Sequence, residues 1–277
     1  MNAYELDIRA MKTPGMADII STARKHISSS YLRSYPWTHR ELDHGKGILV
    51  SDDALNCYLV AYGIMHMVKV RRLLQGCSLD DLKPGYDVVD WGCGQGLASL
   101  CLVEYLMEID APLPSRITLV DASPAALRRA ELHLGAMTGG AVELRLVETR
   151  LSDEALDSTW KKGLFSAGSP RVLHLLSNIF DVQGIDQDAL AHSITRMGSE
   201  NLVLCAAHYN MDIRLKLFQR KFQLDSQEML FLEAKYTLDV LPNGHAFGSA
   251  LLAFRSTEGS REQREADSTA ASLPLAA

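Results

Sequence analysis

A chain of 277 residues, 47% apolar and 22% charged, is long enough for one large α/β domain with additions, or for two modest domains. Its formal net charge of −6 argues against broad electrostatic attraction to nucleic acid or to an anionic membrane. No apolar run approaches the ~18 residues of a membrane span, and the opening MNAYELDIRAMKTPGM carries acids without an apolar stretch, so no secretory signal is expected.

Residues 1–84 lack strand signals and are expected to form a mostly helical N-terminal cap. The clearest element starts at Ser51, an N-cap, with Asp52 and Asp53 suited to the positive end of a helix. Leu55, Leu59, Tyr62, His66, Val70 and Leu73 follow at helical spacing, with Gly76 as a stop. Pro84-Gly85 marks the turn into the next region.

From 85 to 255 short apolar runs alternate with helical stretches. Strands are predicted at Asp87–Asp90, Ile117–Asp121, Val142–Val147, Val172–Ser177 and Leu202–Ala207. Helices are predicted at Leu97–Ile109, Pro124–Leu134, Gln187–Met197 and Met211–Phe222. Ala234–Leu241 and His245–Arg255 read as strands around the turn Pro242-Asn243-Gly244. The expected fold is α/β, a doubly wound, mostly parallel seven-stranded sheet ending in an antiparallel hairpin. Residues 256–277 are polar and then small, and read as a flexible tail.

The five cysteines (Cys57, Cys77, Cys93, Cys101, Cys205) are scattered and odd in number. With no CxxC pair and no ligand spacing among nine histidines, they fit free thiols in a reducing cytoplasm, and no metal is expected.

Chemistry concentrates at Asp90-Trp91-Gly92-Cys93-Gly94-Gln95-Gly96, where the first strand runs into the first helix of the sheet. Glycines there allow a tight turn and close approach of a ligand to backbone, and helix-start amides receive an anionic group. A dinucleotide site wants G-x-G-x-x-G, but position 97 is Leu and the third glycine falls at Gly96. Singly, these glycines would equally serve a structural turn, and Asp121 a cap for the helix at Ser123-Pro124.

The acid-led D-x-G-x-G-x-G loop resembles motif I of class I S-adenosylmethionine-dependent methyltransferases, and the resemblance extends over roughly residues 86–255. It implies S-adenosyl-L-methionine as cofactor, its amino-acid end over Gly92, Cys93, Gly94, Gln95 and Gly96 with Asp90 near the ammonium. It implies Asp121 and Ala122 at the ribose, Thr149 and Arg150 at the adenine edge, and Ser177 where cofactor and acceptor meet. The segment VLHLLSNIFD occupies the motif IV position.

Methyl transfer requires positioning of the nucleophile and, where its pKa is high, removal of a proton. Asn178 is a candidate to hold the acceptor, Asp181 a candidate base, and His208 a second candidate at the end of the fifth strand. Each has a structural reading of equal weight, as loop or turn support. His174 is expected to be a core histidine, and His66 and Tyr62 to be packing, although their helix could also supply a partner for the cofactor's carboxylate. The absence of a proline-proline motif IV and of a cysteine near Asn178 disfavours exocyclic base nitrogens and pyrimidine carbon as acceptors. An O or N acceptor on a small molecule is favoured over protein or RNA, and no membrane partner is expected. The alternatives are a non-catalytic cofactor-binding sensor or assembly protein and, opposed by Leu97 and the hairpin, an NAD-linked oxidoreductase. Tyr31–Asp53, with Tyr35-Pro36-Trp37 and His44-Gly-Lys-Gly47, is expected to cover the site. Most of the basic groups at Lys69/Arg71/Arg72, Arg128/Arg129, Lys161/Lys162 and Lys216/Arg220/Lys221 are expected to be solvated helix faces, which leaves nucleic acid an open but unfavoured partner.

Overall fold

The computed structural model describes residues 1–27, 40, 42, 43, 46–77, 79, 82–165, 169–222, 229–240 and 246–257. The expectations for Tyr35-Pro36-Trp37, for His44 and Gly45, for the turn at 242–244 and for the tail beyond 257 lie outside the described residues.

Among the described residues three helices of defined bounds precede the sheet: α1 (Ala3–Ala10), α2 (Met16–Lys25) and α3 (Asp52–Gly76). Asn2 and Glu5 form a reciprocal capping box at the start of α1. Ser51 accepts the Ala54 amide and caps α3. Then follow β1 (Asp87–Trp91), α4 (Leu97–Glu108), β2 (Arg116–Asp121), α5 (Pro124–Thr138), β3 (Glu143–Glu148), α6 (Asp153–Lys161), β4 (Arg171–Ser177), α7 (Gln187–Thr195), β5 (Glu200–His208), α8 (Asp212–Arg220), β6 (Met229–Val240) and β7 (Ala246–Thr257). Helix α6 was not anticipated. It is short and polar, burying only Leu156 and Thr159, which leaves little periodic signal.

The sheet order is β3-β2-β1-β4-β5-β7-β6. Neighbours from β3 to β5 are parallel, and β7 is antiparallel to both β5 and β6. The mostly parallel α/β sheet and its closing antiparallel hairpin agree with the sequence. The hairpin strands are longer than predicted. Strand β7 runs on through Ser256 and Thr257, which pair with Asn201 and Glu200 of β5, so these two residues are strand and not tail.

Alternation along each strand divides the core into two layers. On one face Val88, Leu119, Leu175, Leu204 and Ala253 pack with residues of α1 to α5 such as Tyr4, Ile19, Leu73, Leu102 and Leu134. On the other, Trp91, Val120, Leu176, Cys205 and Phe254 pack with Leu156, Leu190 and Phe218 of α6 to α8. Helices α1–α3 thus share a core with the sheet. Trp91 and His174 are completely buried. The indole N–H donates to His174 Nδ1 at 3.1 Å, and His174 Nε2 donates to Asn201 Oδ1 at 2.9 Å. Burial holds this imidazole neutral, pushing its pKa down to about 4, so His174 is the core histidine that its apolar neighbours predicted.

No described helix is long and apolar enough to cross a membrane, the five cysteines are free and buried, and no metal-competent cluster occurs among the described residues.

Candidate functional site

Strand order reverses between β1 and β4, and ligands of open α/β sheets bind at the carboxyl edge beside such a switch point. The loops leaving β1 and β4 touch there. Gly92, Gly94 and Gly96 all have positive φ, 65°, 53° and 79°, a region that β-carbon-bearing residues enter at a cost. At Gly92 a Cβ would lie 2.7 Å from Ile179 Cγ2, whereas at Gly94 it would meet nothing within 4 Å. One glycine admits the neighbouring loop, and the other leaves open space above the backbone.

Asp90 is buried beneath this loop. Its Oδ2 accepts from the Ser99 amide at 3.2 Å and the Ser99 hydroxyl at 2.7 Å, which ties it to the first turn of α4. Its Oδ1 is buried without a partner among the described residues. Burial pushes the carboxyl up to about 7, against the Ser99 bonds. Cys93 donates its amide to the Val120 carbonyl at 2.9 Å, and burial, with Asp90 and Asp121 nearby, drives its thiol well above the ordinary range. The thiol is inert. Gln95 anchors the loop to the helices. Its Nε2 donates to the Leu55 carbonyl of α3 at 2.9 Å, and its own carbonyl accepts from His133 Nδ1 at 3.2 Å. Gln95 Oε1 is buried and, like Asp90 Oδ1, lacks a partner among the described residues.

Asp121 closes β2 beside the loop. Its Oδ2 accepts the Gly94 amide at 2.8 Å, and Oδ1 accepts the Ser123 amide at 2.7 Å. Burial raises its pKa while these amides hold it down. Ser123 itself caps α5, and Asp121 holds the turn before it and, beyond the role expected of it, braces the glycine loop. Each carboxylate oxygen retains acceptor capacity. Ala122 is half-buried. The Thr149 amide donates to the Asp121 carbonyl at 3.0 Å, and its hydroxyl accepts from Thr159 at 2.9 Å. Arg150 is exposed.

The loop after β4 is held from α3. Asn178 is a non-glycine residue at φ 56°. Its amide donates to the Ala206 carbonyl at 2.7 Å. Its side-chain Oδ1 accepts from Lys69 Nζ at 2.8 Å, and Nδ2 reaches Ser177 Oγ at 3.0 Å and His66 Nδ1 at 3.4 Å. Asp181 is partly exposed, 3.6 Å from Lys46 Nζ. His208 is half-buried and shares a 2.7 Å hydrogen bond with Asn210. No described contact joins it to Asn178 or Asp181.

Two basic residues are exceptions to the expected solvated faces. Lys69 is 1% exposed and Arg129 is 2% exposed. Arg129 donates to Asn56 Oδ1 at 2.9 Å and Asp52 Oδ1 at 2.7 Å, over the ring of Tyr4. Lys69 and His66 lie one helical turn apart, below Tyr58 and Tyr62. Burial, reinforced by Lys69, pushes His66 down to about 3. It is neutral, with Nδ1 accepting from Asn178. The available signal was His66 interrupting the apolar stripe of α3, with Lys69 three residues on.

The sequence matches no protein-family model and no curated protein. Among solved structures it is similar to an S-adenosylmethionine-dependent methyltransferase from Agrobacterium tumefaciens, at 12% identity and a TM-score of 0.40, covering 71% of this chain and 62% of that one. It is similar to magnesium protoporphyrin IX methyltransferase from Synechocystis with bound S-adenosylmethionine, at 15% identity and 0.39, covering 82% and 94%. A third, an S-adenosylmethionine-dependent methyltransferase from Aquifex aeolicus, gives 10% and 0.36, covering 68% and 98%. Likeness at this level leaves function to be read from the site.

Proposed function

We propose that this chain binds S-adenosylmethionine at the carboxyl edge between β1 and β4 and transfers its methyl group to an oxygen or nitrogen of a small-molecule acceptor. The observation that carries this reading is the Gly94–Asp121 bond of 2.8 Å. It fastens an open, positive-φ glycine loop to the carboxylate ending the adjacent strand. The side chains fit the cofactor. Asp90 Oδ1 and Gln95 Oε1 are buried acceptors short of a donor, which an ammonium group would supply. Asp121 retains lone pairs for two neighbouring ribose hydroxyls.

Bound there, S-adenosylmethionine supplies a methyl group already activated by cationic sulfur. The chain's work is then positioning and exclusion of water. Gly92–Gly96 and Asp121 orient the cofactor, with Ala122, Thr149 and Arg150 along its nucleoside side. Ser177 and Asn178 shape the meeting point of cofactor and acceptor. Asp181 is the proposed proton acceptor where the nucleophile carries a proton, with His208 as the further candidate at the end of β5. No other described carboxylate occupies the loop after β4 before Asp186.

Calorimetry with S-adenosylmethionine, S-adenosylhomocysteine and NADH tests the binding step. The expected result is micromolar binding of the first two, weakened at least about tenfold in Asp121→Ala, a loss of roughly 1.4 kcal/mol. Binding of NADH instead would overturn the proposal. Labelled-methyl transfer into a fractionated cell extract tests catalysis. Cofactor binding without transfer to any fraction would convert the reading to a binding protein.

A further inference from the structure

Lys69 is the one lysine among the described residues with a fully buried side chain, and its ammonium carries three donor protons. Among the described residues a single acceptor meets them, Asn178 Oδ1 at 2.8 Å. The Phe247 ring lies 5.9 Å from Nζ. His66, one turn away, is neutral, and Tyr58 is held in its protonated form by burial. Asp181 is the facing carboxylate but acts on Lys69 only through space, being paired with Lys46. A buried cation short of acceptors is costly unless an anion completes it. Burial accordingly pushes Lys69 down to about 8, with Asp181 pulling the other way.

The place of this cation in the sheet indicates which ligand would complete it. Helix α3 touches the glycine loop near its own start, through the Leu55 carbonyl. Lys69 lies toward its other end, against Asn178 beyond β4 and Phe247 of β7. Asp121, at the end of β2, stands on the other side of the switch point. The cation therefore belongs to the half of the edge away from the cofactor's nucleoside.

We propose that Lys69 recognises an anionic oxygen group, in its simplest form a carboxylate, on the methyl acceptor. The inference rests on the methyltransferase reading above. A compact ammonium suits a single anionic oxygen, and an acceptor so held would present its nucleophile beside Asn178 and Asp181.

Acetate and its neutral isostere acetamide serve as probes, titrated into the full chain saturated with S-adenosylhomocysteine. The expected result is saturable acetate binding in the millimolar range, with acetamide weaker by about tenfold or more, as charge-assisted hydrogen bonds require. Lys69→Met should abolish the preference and Lys69→Arg should retain it, with melting curves confirming that both variants fold. Equal binding of acetate and acetamide, or an acetate affinity unchanged in folded Lys69→Met, would overturn the proposal. So would a tenfold loss of S-adenosylhomocysteine affinity in Lys69→Met together with acetate competing against that ligand, since the anion would then be the cofactor's carboxylate. Failure of the wild-type chain to bind S-adenosylhomocysteine at all removes the methyltransferase reading itself, which the acetate comparison alone does not.

Discussion

The Tyr4 hydroxyl and His133 Nε2 stand 2.8 Å apart, joining the first helix of the chain to α5. His133 is completely buried, and burial pushes it down to about 3. Because Nδ1 donates to the Gln95 carbonyl, Nε2 must accept the Tyr4 proton. A hydrogen-bonded relay thus runs from α1 to the glycine loop. Tyr4→Phe keeps the ring under Arg129 but strands Nε2. The expected loss is about 1–3 kcal/mol in urea unfolding, accompanied by weaker S-adenosylhomocysteine binding. Unchanged stability and affinity would show that the relay carries no coupling.

Gly92 and Gly94 should respond differently to alanine. Both incur the left-handed backbone penalty of about 1–2 kcal/mol. Only Gly92→Ala also drives a Cβ to within 2.7 Å of Ile179, adding overpacking of about 1–3 kcal/mol. Gly92→Ala should therefore unfold at lower denaturant than Gly94→Ala, and the difference should shrink in an Ile179→Ala background, which removes the clashing Cγ2. Gly94→Ala should instead lose affinity for S-adenosylhomocysteine. Equal midpoints would show that the two loops separate freely.

Asn178 should separate backbone from side-chain effects. Its φ of 56° is tolerated by Asn and natural for Gly. Asn178→Gly keeps the turn but removes the bonds to Lys69, Ser177 and His66. The expectation is a folded protein with kcat lowered by about 10²-fold, the scale of lost positioning at a reacting centre. Turnover equal to wild type would remove Asn178 from the reaction centre.

Acid should destabilise the fold before it protonates most carboxylates. His66, His133 and His174 are pushed down to about 3, 3 and 4. Between the ordinary histidine value and these, the unfolded chain binds more protons, so stability falls as pH falls through that window. Asp90, raised to about 7, works in the opposite sense, since the folded state holds its proton as pH rises from 4 to 7. Asp121 and Asp87, raised less by burial, act in the same sense as Asp90, and the three histidines outweigh them between pH 7 and pH 5, leaving a net loss toward acid at about 1.4 kcal/mol per pH unit for each proton of difference. Urea unfolding at pH 7 and pH 5 measures the slope. A higher midpoint at pH 5 would contradict it.

The local order of the sheet was legible because strands covered on both faces write themselves as continuous apolar runs, and a glycine loop announces a strand-to-helix turn. By the same logic Asp90 and Asp121 could be placed at strand ends from the sequence. What those carboxylates do there was not legible. Asp90 turned out to brace Ser99, and Asp121 to brace Gly94, and each bond depends on the angle at which a helix leaves its strand. The burial of Lys69 and Arg129 was not legible for the related reason that charge spacing along a helix says nothing about what lies against it. Their burial is set by Asn178 and by Asn56 and Tyr4, partners distant in the chain. The sequence by itself determined the alternating α/β order and the loop that invites a nucleotide-like ligand, since both follow from local periodicity and backbone freedom. Only the tertiary structure decided that α3 supplies a buried cation to the loop after β4, because burial is a property of the assembled neighbours and not of any one segment.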